Sequence, residues 1–143
     1  MASDQLLVNE PRDGLEQFGE HITLDGYGGD PVVLNNEGLV RSALIDLCDL
    51  LGMHPLASPM VVPAPDNQLK DPGGWSGFLI VAESHISIHT FPKRRFLSAD
   101  AYTCRNGIRV ATITTFFTER FALNEVETNF IKRGLRYPAR NIA

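Results

Sequence analysis

The stretch Ala82-Glu83-Ser84-His85-Ile86-Ser87-Ile88-His89-Thr90-Phe91-Pro92 gathers the side chains of this sequence best suited to chemistry. Ile86 and Ile88 alternate with His85, Ser87 and His89. A strand here would carry apolar groups on one face and hydroxyls and imidazoles on the other. Those are the groups of nucleophilic attack and proton transfer. Polar side chains that leave water need partners, so a half-buried row of this kind is unusual. The alternative at this point is an ordinary amphipathic strand with its polar face in water.

Such a row needs elements to hold it. Phe78-Leu79-Ile80-Val81, just before it, is apolar enough for a buried strand. Phe96 to Cys104 alternates again and predicts a hairpin with the central strand, with Lys93-Arg94-Arg95 as a solvated turn. His21-Ile22-Thr23-Leu24-Asp25 suits a short strand. Gly26 to Pro31 breaks it as a plain turn, with no phosphate-cradling glycine pattern. Asn35 or Asn36 can cap a helix whose first turn holds Glu37. Leu39, Ala43, Leu47 and Leu50 repeat at helical spacing, and Gly52 ends the run. Cys48 falls inside this helix as a core residue, and His54 follows as a solvated histidine without an evident partner. Ser58 to Val62 suits a strand, and 63–74 reads as a surface loop. Asn106-Gly107 marks a turn. Ile108 to Phe117 reads both ways: its β-branched content favours a strand, yet Ile108, Ala111, Thr115 and Thr118 share a helical face. Asn124 to Lys132 alternates as a strand, and Gly134 and Pro138 mark an irregular end. Strands flanking two helix candidates suggest an α+β layer fold.

The chain has 143 residues, enough for one domain with a real core. With 43% hydrophobic and 21% charged residues it reads as an ordinary globular protein. A net charge of −4 argues against a nucleic-acid surface, since phosphate binding needs a basic excess. The polar, acidic start up to Pro11 lacks the basic and apolar regions of a signal peptide, and residues 1–14 read as a loose tail. No run approaches the roughly 20 apolar residues of a membrane span, so no membrane partner is expected. Cys48 and Cys104 form no metal-ligand or CxxC pattern, and no metal is expected. Free thiols suit a cytoplasmic chain.

Residues 82–90, with Asp100-Ala101-Tyr102-Thr103-Cys104 downstream, resemble the prokaryotic S-adenosylmethionine decarboxylases, self-processing pyruvoyl-dependent enzymes of polyamine synthesis. The resemblance spans residues 17–138, including His21 to Tyr27 and Ile131-Lys132-Arg133-Gly134. It implies an α+β two-layer sandwich, an antiparallel sheet with helices packed on one face, and it makes 108–117 the second helix. It also implies a homodimer with active sites near the subunit interface. Residues 15–143 would form one domain, made as a proenzyme. The Ser84 hydroxyl would attack the Glu83 carbonyl to form an ester. Elimination and hydrolysis would then cut the chain between Glu83 and Ser84, leaving 1–83 as the beta chain and 84–143 as the alpha chain. Ser84 would become the pyruvoyl group, a self-generated cofactor that condenses with a substrate amine and draws electrons from the breaking carbon–carboxylate bond. His89 matches the processing histidine, and Ser76 matches a serine that assists processing. Cys104 matches the proton donor of decarboxylation. Glu83, Phe91 and Lys93 fall at substrate-binding positions.

Two departures bear on the substrate. Where the family has His-Thr-Trp-Pro-Glu, this chain has His89-Thr90-Phe91-Pro92-Lys93. The family's glutamate accepts hydrogen bonds from ribose hydroxyls, and a lysine ammonium has donors only. Val62 to Lys70 also lacks the aromatic residue associated with the adenine ring. S-adenosylmethionine is the family substrate, and L-arginine or L-ornithine is the alternative. A basic substrate would need a carboxylate, for which Asp66, Asp71 and Asp100 are candidates, while Lys93, Arg94 and Arg95 would repel it. A further alternative is an uncut relative that binds a partner. The joint presence of Ser84, His89 and Cys104 argues against that.

Overall fold

The computed structural model describes residues 14–143, so the tail expected over 1–14 lies, Gly14 apart, outside the described residues. In chain order the elements are β1 (Leu15–Glu16), β2 (Gly19–Tyr27), α1 (Pro31–Leu34), α2 (Glu37–Leu50), β3 (Met60–Ala64), β4 (Gly74–Val81), β5 (Ser84–Phe91), a 3-10 turn (Pro92–Arg94), β6 (Phe96–Thr103), α3 (Val110–Phe121), β7 (Glu125–Arg133) and β8 (Tyr137–Pro138). Strands β3 to β6 follow one another as antiparallel neighbours. β2 then inserts between β6 and β7 to complete a six-stranded sheet. β1 and β8 pair separately, so the end expected to be irregular is tied to the start of the domain.

Alternation decides which face of the sheet is dry. Ile86 and Ile88 of β5, Leu97 and Ala101 of β6, and Ile22 and Leu24 of β2 are all buried, and their neighbours in sequence are not. Both long helices pack on that face. α2 starts at Asn36, whose side chain accepts the Leu39 N–H, and buries Val40, Ala43, Leu44, Leu47 and Cys48. Burial pushes the Cys48 thiol above its usual range, as suits a core residue. α3 forms despite its β-branched content. Ile113, Phe117 and Phe121 recur four apart and are fully buried, and Arg120 pairs with Asp46 of α2 at 2.9 Å. Packing outweighs intrinsic propensity here. The result is the α+β sandwich: a helix layer, an antiparallel sheet, and an open sheet face.

The helix layer packs tightly against Gly77. A Cβ there would sit 3.0 Å from Leu44 Cδ1 and 3.3 Å from Val40 Cγ1. Gly77→Ala is therefore expected to destabilise the fold by about 1–3 kcal/mol through overpacking. A lower urea midpoint with an unchanged slope is the expected readout.

Candidate active site

β4 and β5 are joined by a two-residue turn, Ala82-Glu83, so Ser84 opens β5 at the tip of a tight hairpin. Ser84 pairs with Val81 on one side and Thr103 on the other. Its φ is +149°, a conformation that L-residues other than glycine rarely adopt. Strain therefore sits on the residue that follows the Glu83 carbonyl. The oxygen of that carbonyl accepts the backbone N–H of Cys104 at 2.7 Å. Ser84, the Glu83 carbonyl and Cys104 thus share one end of the sheet. The loop that carries Cys104 is anchored from below. Glu20, a buried carboxylate on β2, accepts the N–H groups of Gly107 at 2.8 Å and Ile108 at 2.9 Å. Sequence reasoning passed over Glu20, because its partners lie far along the chain.

The Glu83 side chain turns inward and is buried. One oxygen accepts the His54 backbone N–H at 3.0 Å and the other meets His54 Nδ1 at 2.8 Å. Arg105 stands 3.8 Å from the second oxygen. Burial pushes the Glu83 carboxyl up, but the hydrogen bonds from His54 outweigh it and hold the group below its usual range. His54, expected to be solvated and without a partner, is thus partnered, although its side chain is 70% exposed.

The other predicted residues lie at the far end of β5. His89 Nδ1 is 3.1 Å from Ser76 Oγ, across the β4–β5 ladder on the open face. Phe91 packs on Phe96 with ring centroids 5.3 Å apart, and Lys93 is exposed in the 3-10 turn beside α1. Five residues of strand separate His89 from Ser84, about 16 Å at the usual rise. The structure brings Ser76 to His89 and Cys104 to Ser84, but it does not bring the two pairs together within one chain.

Between them, on the open face, lies a polar knot. Asp100 meets His21 Nε2 at 2.5 Å and His85 Nε2 at 3.2 Å, and it accepts the Ser87 hydroxyl. The Arg133 guanidinium donates to His21 Nδ1 at 2.9 Å and covers the Tyr102 ring. The ligand atoms of the two histidines and Asp100 come within 4.8 Å of one another, as metal ligands would. Arg133 fixes the His21 proton on Nε2, so a proton sits where an ion would have to bind. Burial raises the Asp100 carboxyl, and the hydrogen bonds from Ser87, His21 and His85 together bring it below its usual range. A carboxyl held low stabilises the fold above its unfolded-state value, about 3.9, and loses that contribution as pH falls through its folded value. The urea midpoint is therefore expected to fall as pH drops below about 4, and Asp100→Asn should flatten that part of the profile. Asp66 and Asp71 lie in the 65–73 loop, where they accept the N–H groups of Gln68 and Gly73.

Comparison with known proteins gives one consistent result. Residues 20–134 match the family model described as S-adenosylmethionine decarboxylase. A protein of Thermococcus kodakarensis called S-adenosylmethionine decarboxylase proenzyme is 31% identical over 121 residues, covering 85% of this chain and 80% of its own. One of the same name from Clostridium kluyveri is 29% identical over the same share of this chain and 90% of its own. The crystal structure of the adenosylmethionine decarboxylase from Aquifex aeolicus shares the fold, with a TM-score of 0.72 at 22% identity over 88% of this chain and 98% of that one.

Proposed function

Because the chain belongs to the S-adenosylmethionine decarboxylase family, a family of pyruvoyl-dependent decarboxylases, we propose that it cuts itself between Glu83 and Ser84 and then decarboxylates S-adenosylmethionine. The observation that carries this reading is the hairpin tip. A serine in a strained conformation follows a carbonyl whose oxygen is already held by an N–H at 2.7 Å. That N–H is placed to stabilise negative charge on the oxygen when Ser84 Oγ bonds to the carbon. The peptide C–N bond then breaks, and the hydroxyl proton passes to the nitrogen. Loss of the Ser84 Cα proton with departure of the Glu83 carboxylate cuts the chain, and water releases the nitrogen as ammonia. The turn supplies proximity, so the attack needs placement and proton transfer rather than an external reagent. The site residues fit a pyruvoyl group made from Ser84. Once formed, that group supplies the electron sink for loss of the substrate carboxylate. Cys104, exposed and beside the cut, is positioned to return a proton to the substrate carbon.

His89 and Ser76 come to this site from a second copy of the chain. A two-fold axis between facing sheets, running across the strands, would bring the His89 end of one protomer over the Ser84 end of the other. The open face supports such a homodimer. Phe78, Ile80 and Ile131 stand between 41% and 49% exposed around the Asp100 knot. Phe91 and Lys93, on the His89 end, would then contribute to the partner's substrate pocket.

Arginine and ornithine fit less well. Asp100 is already engaged by three donors, and Asp66 and Asp71 hold turns of their loop. Lys93, Arg94 and Arg95 form a cationic corner that would repel a cationic side chain. No helix among the described residues is long and apolar enough to cross a membrane, and both cysteines are free thiols, which suits the cytoplasm. The test is carbon dioxide release by the cut protein from S-adenosylmethionine, L-arginine and L-ornithine, side by side. Release is expected from S-adenosylmethionine, and Cys104→Ala should lower it by roughly 10²–10⁴-fold while leaving the cut intact. Release from arginine or ornithine alone would overturn the substrate assignment.

A further inference from the structure

We propose that His54 is a positioning residue for self-cleavage, a clamp that holds Glu83 by its side chain and so aims the scissile carbonyl. The proposal rests on the self-cleavage reading above and adds to it a residue that the catalytic motif does not contain.

The turn Ala82-Glu83 has little of its own to hold it. Two residues at a hairpin tip are where a β-ladder frays first. Here the tip is gripped by the segment that follows α2. Leu56 N–H donates to the Ile80 carbonyl at 2.9 Å, Pro55 bridges Val81, and Ala82 N–H donates to the His54 carbonyl at 2.8 Å. These contacts register the segment against the end of β4. Its last contacts are the two from His54 to the Glu83 carboxylate, at 3.0 and 2.8 Å. The scissile residue is thereby fixed at both ends: its side chain by His54, its carbonyl oxygen by the Cys104 N–H. A peptide held at two points this close together has little freedom to rotate. The plane of the Glu83–Ser84 bond is set before Ser84 attacks, and a near-attack geometry is what an intramolecular acyl shift requires.

Exposure separates this role from simple packing. The His54 side chain is 70% exposed and the Glu83 side chain 10%. Removing the imidazole deletes little buried surface from His54, but it leaves a buried carboxylate one bond short. Arg105, at 3.8 Å, is too distant to replace that bond.

The experiment follows conversion of the freshly folded 143-residue chain into its two fragments on a denaturing gel. His54→Ala is expected to slow conversion about tenfold or more. His54→Asn, which keeps a side-chain donor near the Nδ1 position, is expected to return the rate to within about twofold of wild type. In a Glu83→Ala background the His54 substitutions should have no further effect, because the clamp then has nothing to hold. The melting temperature, measured in the uncuttable Ser84→Ala chain, should fall by only a few degrees with His54→Ala, the cost of one bond to a buried carboxylate. Conversion of His54→Ala at the wild-type rate overturns the clamp. Equal slowing by alanine and asparagine, with a matching fall in melting temperature, also overturns it in favour of a structural role. A wild-type chain that stays uncut overturns the self-cleavage reading and the clamp together.

Discussion

Ser84→Ala is expected to migrate as one uncut chain and to release carbon dioxide at least roughly 10⁴-fold more slowly than wild type, the scale of losing a nucleophile. Other hydroxyls near the hairpin tip are poor substitutes. Ser87 lies three residues on, with its hydroxyl committed to Asp100. Thr103, paired opposite Ser84, bonds through its own oxygen to the Arg105 N–H at 3.0 Å. Alanine carries the same Cβ burden at φ +149°, so the fold should persist with nearly the same melting temperature. Ser84→Gly tests the strain separately. It should remain uncut as well, but gain about 1–3 kcal/mol as the penalty on φ is lifted. Fragments of unchanged size from Ser84→Ala would show that the cut lies elsewhere.

Mixing two inactive variants is expected to restore cutting. Ser84→Ala keeps the Ser76–His89 pair but has nothing to attack with. His89→Ala keeps Ser84 and Cys104 but lacks the imidazole. Each alone should stay uncut. Co-expressed in equal amounts, they pair at random, and half the dimers carry one of each. Each mixed dimer holds one complete site and one doubly defective site. Roughly a quarter of all chains should therefore be cut, and every C-terminal fragment should carry the His89→Ala substitution, readable by mass. The basis is the separation of about 16 Å between the two ends of β5, too far for one chain's imidazole to reach its own Ser84. No fragments in the mixture would sink the shared site. Efficient cutting of a strictly monomeric chain would do the same.

The parts of the fold that could be read in the sequence are those governed by neighbours along the chain. The β5–β6 hairpin follows from alternation through Ile86, Ile88, Leu97 and Ala101, and α2 from its apolar spacing and the Asn36 cap. α3 was ambiguous in composition because its buried stripe, Ile113, Phe117 and Phe121, extends past the β-branched run. The motif placed Ser84 and Cys104 together, and the β5–β6 pairing explains why: Ser84 lies opposite Thr103. The alternation also puts His89 further along the same strand, and an extended strand keeps it out of reach of Ser84 although the two are close in sequence. His54 and Glu20 were invisible for a different reason. Their partners are 29 and 87 or more residues away, and single side-chain bonds to such distant groups leave no periodic trace.

Strand order has a consequence for the proposed cut between Glu83 and Ser84. Fragment 1–83 contributes β3, β4 and β2, and fragment 84–143 contributes β5, β6 and β7. In the sheet they do not lie side by side: β2 is inserted between β6 and β7. Separating the fragments would mean opening four ladders, β4–β5, β6–β2 and β2–β7 in the large sheet and β1–β8 beside it. The single chain can assemble this interleaving because its parts are tethered. Two loose fragments must find it by collision. Cutting would thus turn a first-order folding problem into a second-order one, and the mature protein's melting temperature should depend on its concentration more steeply than that of the uncut dimer, which has half as many separable chains. The fold is written once, while the chain is whole, and afterwards it can only be kept.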